Sequence, residues 1–333
     1  MWVTNREDVP DILYHYCSLD TFTEIIKNKT IRLSNIFKMN DYSEVIHVLE
    51  LLPYVLKEEY KKSPFPFKYK GRENAEAFDE IVSDINKEIN TVKYVSYIAC
   101  FSDKDDDLGQ WRAYGDDGKG IAIGYDGKML SDIAQKYSQQ CFFQLMAVNY
   151  SINEHKEYIK GTIVPEIFKA LKISGEHGNV KNRFCSYENM VLRCALSSIS
   201  AILLSATQYK NEAYKDEKEW RLCLNTLLNQ ILYPEDIMAY ARDMPCGDLV
   251  LGKMSFTNKW GNGFSSYFDL CFEQFHGAAD FIKQIIIGPC SKLNANDLDV
   301  KIFLQINGFN IGLAHKAISE IRLSKIPYIG LSK

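Results

Sequence analysis

Residues 95–102 read VSYIACFS, a continuous run of β-branched, aromatic and small residues with DKDDD directly after it at 103–107. A run of this length and composition predicts a strand buried on both faces, one that belongs in the middle of a sheet. GIAIGYD at 120–126 and EWRLCLN at 219–225 repeat the pattern. Upstream, ILYHY at 12–16 is an aromatic-rich strand; Ser18 then offers a helix N-cap, with Leu19, Phe22, Ile25 and Ile26 at helical spacing and a second strand at 31–35. The strands at 12–16, 95–102, 120–126 and 219–225 are expected in one central sheet system.

Elsewhere the period is helical. Val45, Val48, Leu49, Leu52 and Leu56 make 41–62 an amphipathic helix that SPFPF at 63–67 ends, and a polar helix follows at about 73–91. After a strand at 141–150, residues 152–174 and 183–209 read as two long helices. The remainder predicts a helix at 235–243, strands near 247–256, 264–272 and 282–289, a helix at about 294–307 and a last strand in EIRLSKIPY. With no repeat, low-complexity tract or clear linker, the chain is expected to be α+β. It is read as one compound domain over 1–333 with helical insertions at about 41–91 and 152–209.

Composition narrows the function classes. The chain is 46% hydrophobic and 25% charged, ordinary globular material, and its formal net charge of −4 gives no bulk attraction to nucleic acid or anionic lipid. A local groove bearing Lys57, Lys61, Lys62, Lys68 and Lys70 could still attract a nucleic-acid backbone, although a solvated lysine-rich face is the commoner reading of such a cluster. The most apolar helical run, CALSSISAILLSA at 194–206, is too short to span a bilayer, and the first residues lack a signal-peptide pattern, so a cytoplasmic protein with no membrane partner is expected. The cysteines sit singly without CxxC spacing, which predicts reduced thiols and no metal site.

Polar and aromatic residues gather at strand ends, in YHYCS at 14–18, NIFKMNDYSE at 35–44, the stretch 100–120 and DEKEWR at 216–221. GDDGKG at 115–120 lacks the GK[ST] of a P-loop and the GxGxxG of a dinucleotide fold, and reads as a hairpin turn. The order YHY, NDxSE, FS, QWRxYGDxGKGxAIG and EWRL resembles a widespread, largely uncharacterised bacterial family along most of the chain. YHY on a first strand, FS on a middle strand and ExE before WRL also resemble the ADP-ribosyltransferase superfamily, which includes bacterial toxins.

That second resemblance implies mixed central β-sheets of ADP-ribosyltransferase type, NAD as substrate, and transfer of ADP-ribose to a macromolecule, protein or nucleic acid, or to water. A toxin or phage-defence role goes with it. His15, with Tyr16 beside it, would hold the adenosine ribose, Ser102 would shape the nicotinamide pocket, and Glu219 would hydrogen-bond the 2′-hydroxyl of the nicotinamide ribose. Glu217 would orient or deprotonate the acceptor. Trp111, Arg112 and Tyr114, on a loop able to close, would join the NAD pocket with Asn40 and Asp41. The superfamily pairs His with Tyr or Arg with Ser, whereas this chain pairs His15 with Ser102. An ionised carboxylate suits the chemistry, because cleaving the nicotinamide–ribose bond develops an oxocarbenium-like charge.

Two other classes use the same residues. Asp216-Glu217-Lys218 fits the short (D/E)xK signature of metal-dependent nucleases, which needs a further acid such as Asp103 or Asp107. Alternatively DEKEWR is a charged turn of a non-catalytic binding or regulatory module, with Glu219 and Arg221 as an ion pair. Asp41 with Glu44 three residues on also fits a helix capping box. The acceptor and the oligomeric state are open at this level.

Overall fold

The structure is a computed structural model that describes residues 6–39, 42–91, 96–141, 143–176, 202, 205–225, 254–258, 264–272, 281–312 and 318–330. β1 (Ile12–Cys17) leads to α1 (Leu19–Asn28), which Ser18 caps by accepting from the Thr21 amide, and then to β2 (Thr30–Asn35). α2 (Tyr42–Lys62), the short strands β3 (Lys68–Tyr69) and β4 (Arg72–Glu73), and α3 (Asn74–Thr91) follow. Next come β5 (Ser96–Ser102), α4 (Leu108–Ala113), β6 (Ile121–Asp126), α5 (Gly127–Cys141) and β7 (Phe143–Ala147). α6 (Ile152–Tyr158) runs through a π-helical turn at Ile159–Ile163 into α7 (Val164–Glu176). β8 (Glu219–Asn225), β9 (Ser255–Thr257), β10 (Ser265–Cys271), β11 (Ile282–Ile287), α8 (Leu298–Ile306) and β12 (Glu320–Leu323) complete the series. The fold is therefore α+β with a large mixed sheet. The helix expected at 235–243 lies outside the described residues, as do most of 183–209 and all but the end of 247–256.

The chain gathers into two compact units, one from Ile36–Ser96 and Asn149–Ala213, the other from Val3–Asn35, Tyr97–Val148 and Tyr214–Lys333. In the first, α2 buries Val45, Val48, Leu49, Leu52, Val55 and Leu56 along one stripe, the spacing that a 3.6-residue period requires. Tyr60 of α2 stacks on Phe78 of α3 with ring centroids 3.9 Å apart. Asp84, 8% exposed, accepts from the Tyr69 hydroxyl at 3.0 Å and from Lys70 and Lys87 at 2.6 and 3.1 Å.

The second unit carries the sheet, in the order β12-β11-β6-β1-β5-β2-β10-β9, with β8 also on β5 and β7 on β8. β11 and β12 are parallel, while the registered pairs of β1, β2, β6, β7 and β10 are antiparallel. β5 pairs β1 through Tyr14↔Ser102, β2 through Ser34↔Ile98 and Asn35↔Tyr97, and also β8. A strand has two hydrogen-bonding edges, so three partners make the sheet branch at β5. Alternation puts Leu13, Cys17, Tyr97, Ala99, Phe101, Ile123, Tyr125 and Leu222 in the main core, and Tyr14, Tyr16, Trp111, Ala122 and Ile286 in a smaller one on the opposite face.

GDDGKG is not the hairpin turn that its composition suggests, because β5 and β6 are both neighbours of β1 and the turn instead links α4 to β6. Asp116, Asp117 and Gly118 are consecutive left-handed residues at φ 50°, 53° and 83°, and a Cβ added at Gly120 would lie 2.1 Å from the Cys17 carbonyl oxygen. Phe101 is 3% exposed and packs edge-on to His15 and Tyr125. Phe101→Ala is expected to cost about 3–5 kcal/mol in denaturant unfolding; a loss below about 1 kcal/mol would contradict a continuous core across β1, β5 and β6.

Candidate functional site

The end of β5 and the start of β8 meet through the Ser102 side chain. Its Oγ donates to the Glu217 carbonyl at 2.6 Å and accepts from the Lys104 amide at 3.2 Å, and the Asp103 amide donates to the Lys218 carbonyl at 3.2 Å. Ser102 is 1% exposed. It pins the loop after β5 to the turn before β8, which brings the FS and ExE positions together.

Glu219 and Arg221 are two apart on β8 and so share a face, the one opposite the core residues Trp220, Leu222 and Leu224. Arg221 Nε lies 2.7 Å from Glu219 Oε1, with Nη2 3.5 Å from Oε2, and both residues are buried. Burial alone would pull the Arg221 guanidinium down, yet the facing Glu219 carboxylate more than offsets this and its pKa is raised. The carboxylate expected to act on a cationic transition state therefore already faces a cation.

His15 and Ser102 lie on opposite faces. Ser102 is registered against Tyr14, so the two share a face, and the adjacent His15 points with Leu13 and Cys17 to the other, edge-on to Phe101 at 6.0 Å. Tyr14↔Ser102 is the registered pair between β1 and β5; beyond it the His15 ring stands 2.9 Å by Nδ1 from the Cys100 carbonyl. A carbonyl can only accept, so Nδ1 carries the proton in the neutral ring. Burial lowers the His15 pKa, with the Cys100 bond acting in the opposite sense, which favours the neutral ring.

Trp111, expected in the ligand pocket, is fully buried against Tyr14, Tyr16, Ala122 and Ile286, and its Nε1 donates to Asp106 Oδ1 at 2.7 Å. With no exposed face it cannot stack on a ligand ring. Tyr16 is likewise 5% exposed; its hydroxyl donates to the Lys104 carbonyl at 2.9 Å and accepts from the Asp107 amide at 3.2 Å. Arg112 and Tyr114 are exposed, and the Tyr114 hydroxyl stands 3.5 Å from the half-buried Glu217 Oε1, the outer limit for a hydrogen bond. Asn40 and Asp41 lie outside the described residues.

The acids at 103–107 are largely committed to structure. Asp107 caps α4 by accepting from the Gln110 amide and pairs with Lys104 at 3.0 Å. Asp106 accepts from Trp111, from Ser324 Oγ at 2.6 Å and from the Lys325 amide at 2.6 Å, while Asp105 meets Arg322 at 2.7 Å. Burial tends to raise the Asp106 pKa, but Ser324, Trp111, Lys325 and Arg322 together hold it below the ordinary value. Sequence reading missed Asp106, Arg322 and Tyr328, since nothing in DKDDD separates a hub from its neighbours; α4 had a usable signal in Asp107 three residues before Gln110. Among the described residues no group of three or more His, Cys, Asp or Glu is placed to hold a metal. In the other unit, Lys57, Lys62, Lys68 and Lys70 of the expected basic groove pair with Asp79, Glu59, Glu73 and Asp84. No helix among the described residues is long and apolar enough to cross a membrane.

The family described as Protein of unknown function (DUF2971) matches residues 110–222, about a third of the chain. The matched stretch contains Trp111, Arg112, Tyr114, Glu217, Glu219 and Arg221 and stops short of His15 and Ser102. No curated protein and no solved structure matches.

The buried pair sets a stability test. Glu219→Gln leaves Arg221 charged and uncompensated, so a loss of about 3–5 kcal/mol is expected, whereas Glu219→Leu with Arg221→Met removes both charges and recovers most of it. Thermal unfolding of the two proteins reads the difference; equal melting temperatures would contradict the pairing.

Proposed function

We propose that the chain is an ADP-ribosyltransferase-like enzyme that cleaves NAD and passes ADP-ribose to a macromolecule or to water, with Glu219 as the catalytic carboxylate. The observation that supports it is the meeting of the middle strand with the acid-bearing turn: Ser102 Oγ holds the Glu217 carbonyl at 2.6 Å, directly before Glu219 on the neighbouring strand. β1, which carries His15, is the other neighbour of β5 at that end. In this proposal Arg221 fixes Glu219 as an oriented anion and at the same time weakens its field at the ribose. Glu217, half-buried beside Tyr114, faces the acceptor. In this reading the mixed sheet is of the ADP-ribosyltransferase type, NAD is substrate, and a toxin or defence effector is one use of such an activity.

A second reading has its own observation. The Glu219–Arg221 contact is the ion pair that a non-catalytic ligand-binding or regulatory module would use to stiffen the edge of β8. The nuclease lacks such an observation: Asp216 is exposed ahead of the strand, Lys218 is left-handed at φ 49°, Asp107 is committed to capping, and the exposed Asp103 belongs to no group of three acids placed to hold a metal among the described residues.

Incubation with NAD and a cell extract, following nicotinamide release and label transfer, separates the two readings. The wild-type protein is expected to release nicotinamide, and the folded Glu219→Leu/Arg221→Met protein to do so about 10²–10³-fold more slowly. A folded wild-type protein that neither binds nor cleaves NAD would leave the binding module as the better account.

A further inference from the structure

Past β12 the Ser324 amide still donates to the Ile287 carbonyl at 2.8 Å, and beyond it residues 325–330 pair with no strand among the described residues. Exposure alternates along this segment, with Ser324, Ile326, Tyr328 and Gly330 turned inward. Among the described residues it is held mainly through side chains. Asp106 accepts from Ser324 Oγ and the Lys325 amide, and the Tyr328 hydroxyl donates to Asp117 Oδ1 at 2.6 Å. The Gly330 amide donates to Cys290 Sγ at 3.0 Å, and that thiol donates to the Tyr328 carbonyl at 3.4 Å. Just before the segment, Arg322 bridges to Asp105 at 2.7 Å and stands 3.6 Å from Asp106. Ile326 is the segment's apolar anchor, packed on the Tyr14, Tyr16 and Trp111 cluster.

An attachment made of a few side-chain pins and one apolar anchor opens more easily than a strand held in a ladder. These pins grip both ends of α4. Asp105 and Asp106 lie just before it, Asp117 in the turn after it, and Asp106 also holds Trp111 from within it. At its C-terminus α4 presents Tyr114 toward Glu217.

We propose that residues 322–330 are a displaceable latch that keeps α4 and its flanking loops closed against the Ser102–Glu217 end of the site and so controls ligand entry. The identity of the ligand rests on the NAD reading above, while the latch itself rests on the pins. Loosening them frees the 112–118 end of the α4 segment, with Tyr114, to move away from Glu217, while Trp111 and Asp107 keep its start on Tyr16.

Amide hydrogen exchange on the full chain tests this, with Arg322→Gln/Tyr328→Phe as the release variant and NAD as the probe. Losing a charge-assisted bond and a hydroxyl bond is expected to speed exchange across 103–118 and 324–330 about tenfold or more, with β5 and β6 unchanged. NAD is expected to protect 217–221 in both proteins, and sooner after mixing in the variant. Unchanged exchange over 103–118 overturns the latch, and NAD protection that sets in at equal rates overturns its gating role. Faster exchange in the variant with no NAD protection in either protein supports a releasable latch and counts against the NAD reading alone.

Discussion

β5 has two hydrogen-bonding edges and three partner strands, and most of the second unit follows from that constraint. Because β1, β2 and β8 must share those edges, β1 meets β5 in register at Tyr14↔Ser102, and the His15 ring then takes the Cys100 carbonyl. The branch places the start of β8 beside the end of β5, where Ser102 closes the junction on the Glu217 carbonyl. The two cores follow from the same geometry, since alternation along β1 sends Leu13 and Cys17 into one and Tyr14 and Tyr16 into the other.

Electrostatics decide what this junction can do. Glu219 and Arg221 are buried together, and a buried pair is hard to break from one side although it contributes little as a pair. It therefore fixes geometry more than it stabilises the fold. As an oriented anion Glu219 suits a developing oxocarbenium charge, but with Arg221 against it the field it presents is weaker than that of a lone carboxylate. The half-buried Glu217, reached by Tyr114 at 3.5 Å, is the more accessible of the two acids.

The strands were legible because burial on both faces leaves an unbroken apolar run, as in IACFS and GIAIGYD, and that run survives without knowledge of its partners. α2 was legible by its stripe of Val and Leu. α5 was not legible, although Met129, Leu130, Ile133 and Ala134 have helical spacing, because Gly127, Ser131, Asp132, Tyr137 and Ser138 lower helix propensity along it. The candidate site was read as a set of residue types in order, and order along a chain does not fix the face of a strand. One residue of offset separates His15 from Tyr14 and sends it to the other side. Trp111 failed as a ligand platform for a related reason: a short helix in a polar loop turns one large side chain inward, and here it is the tryptophan.

The placement of His15 is the most direct point at which to test the branch. A histidine-ring nitrogen NMR spectrum near pH 7, with the His15 signal among the six histidines assigned through His15→Gln, reports which ring nitrogen is protonated. The Cys100 contact predicts a neutral ring protonated at Nδ1 and bare at Nε2. A ring protonated at Nε2 and bare at Nδ1 would contradict the seat of His15 against the Cys100 carbonyl, where β1 runs past its registered pair with β5.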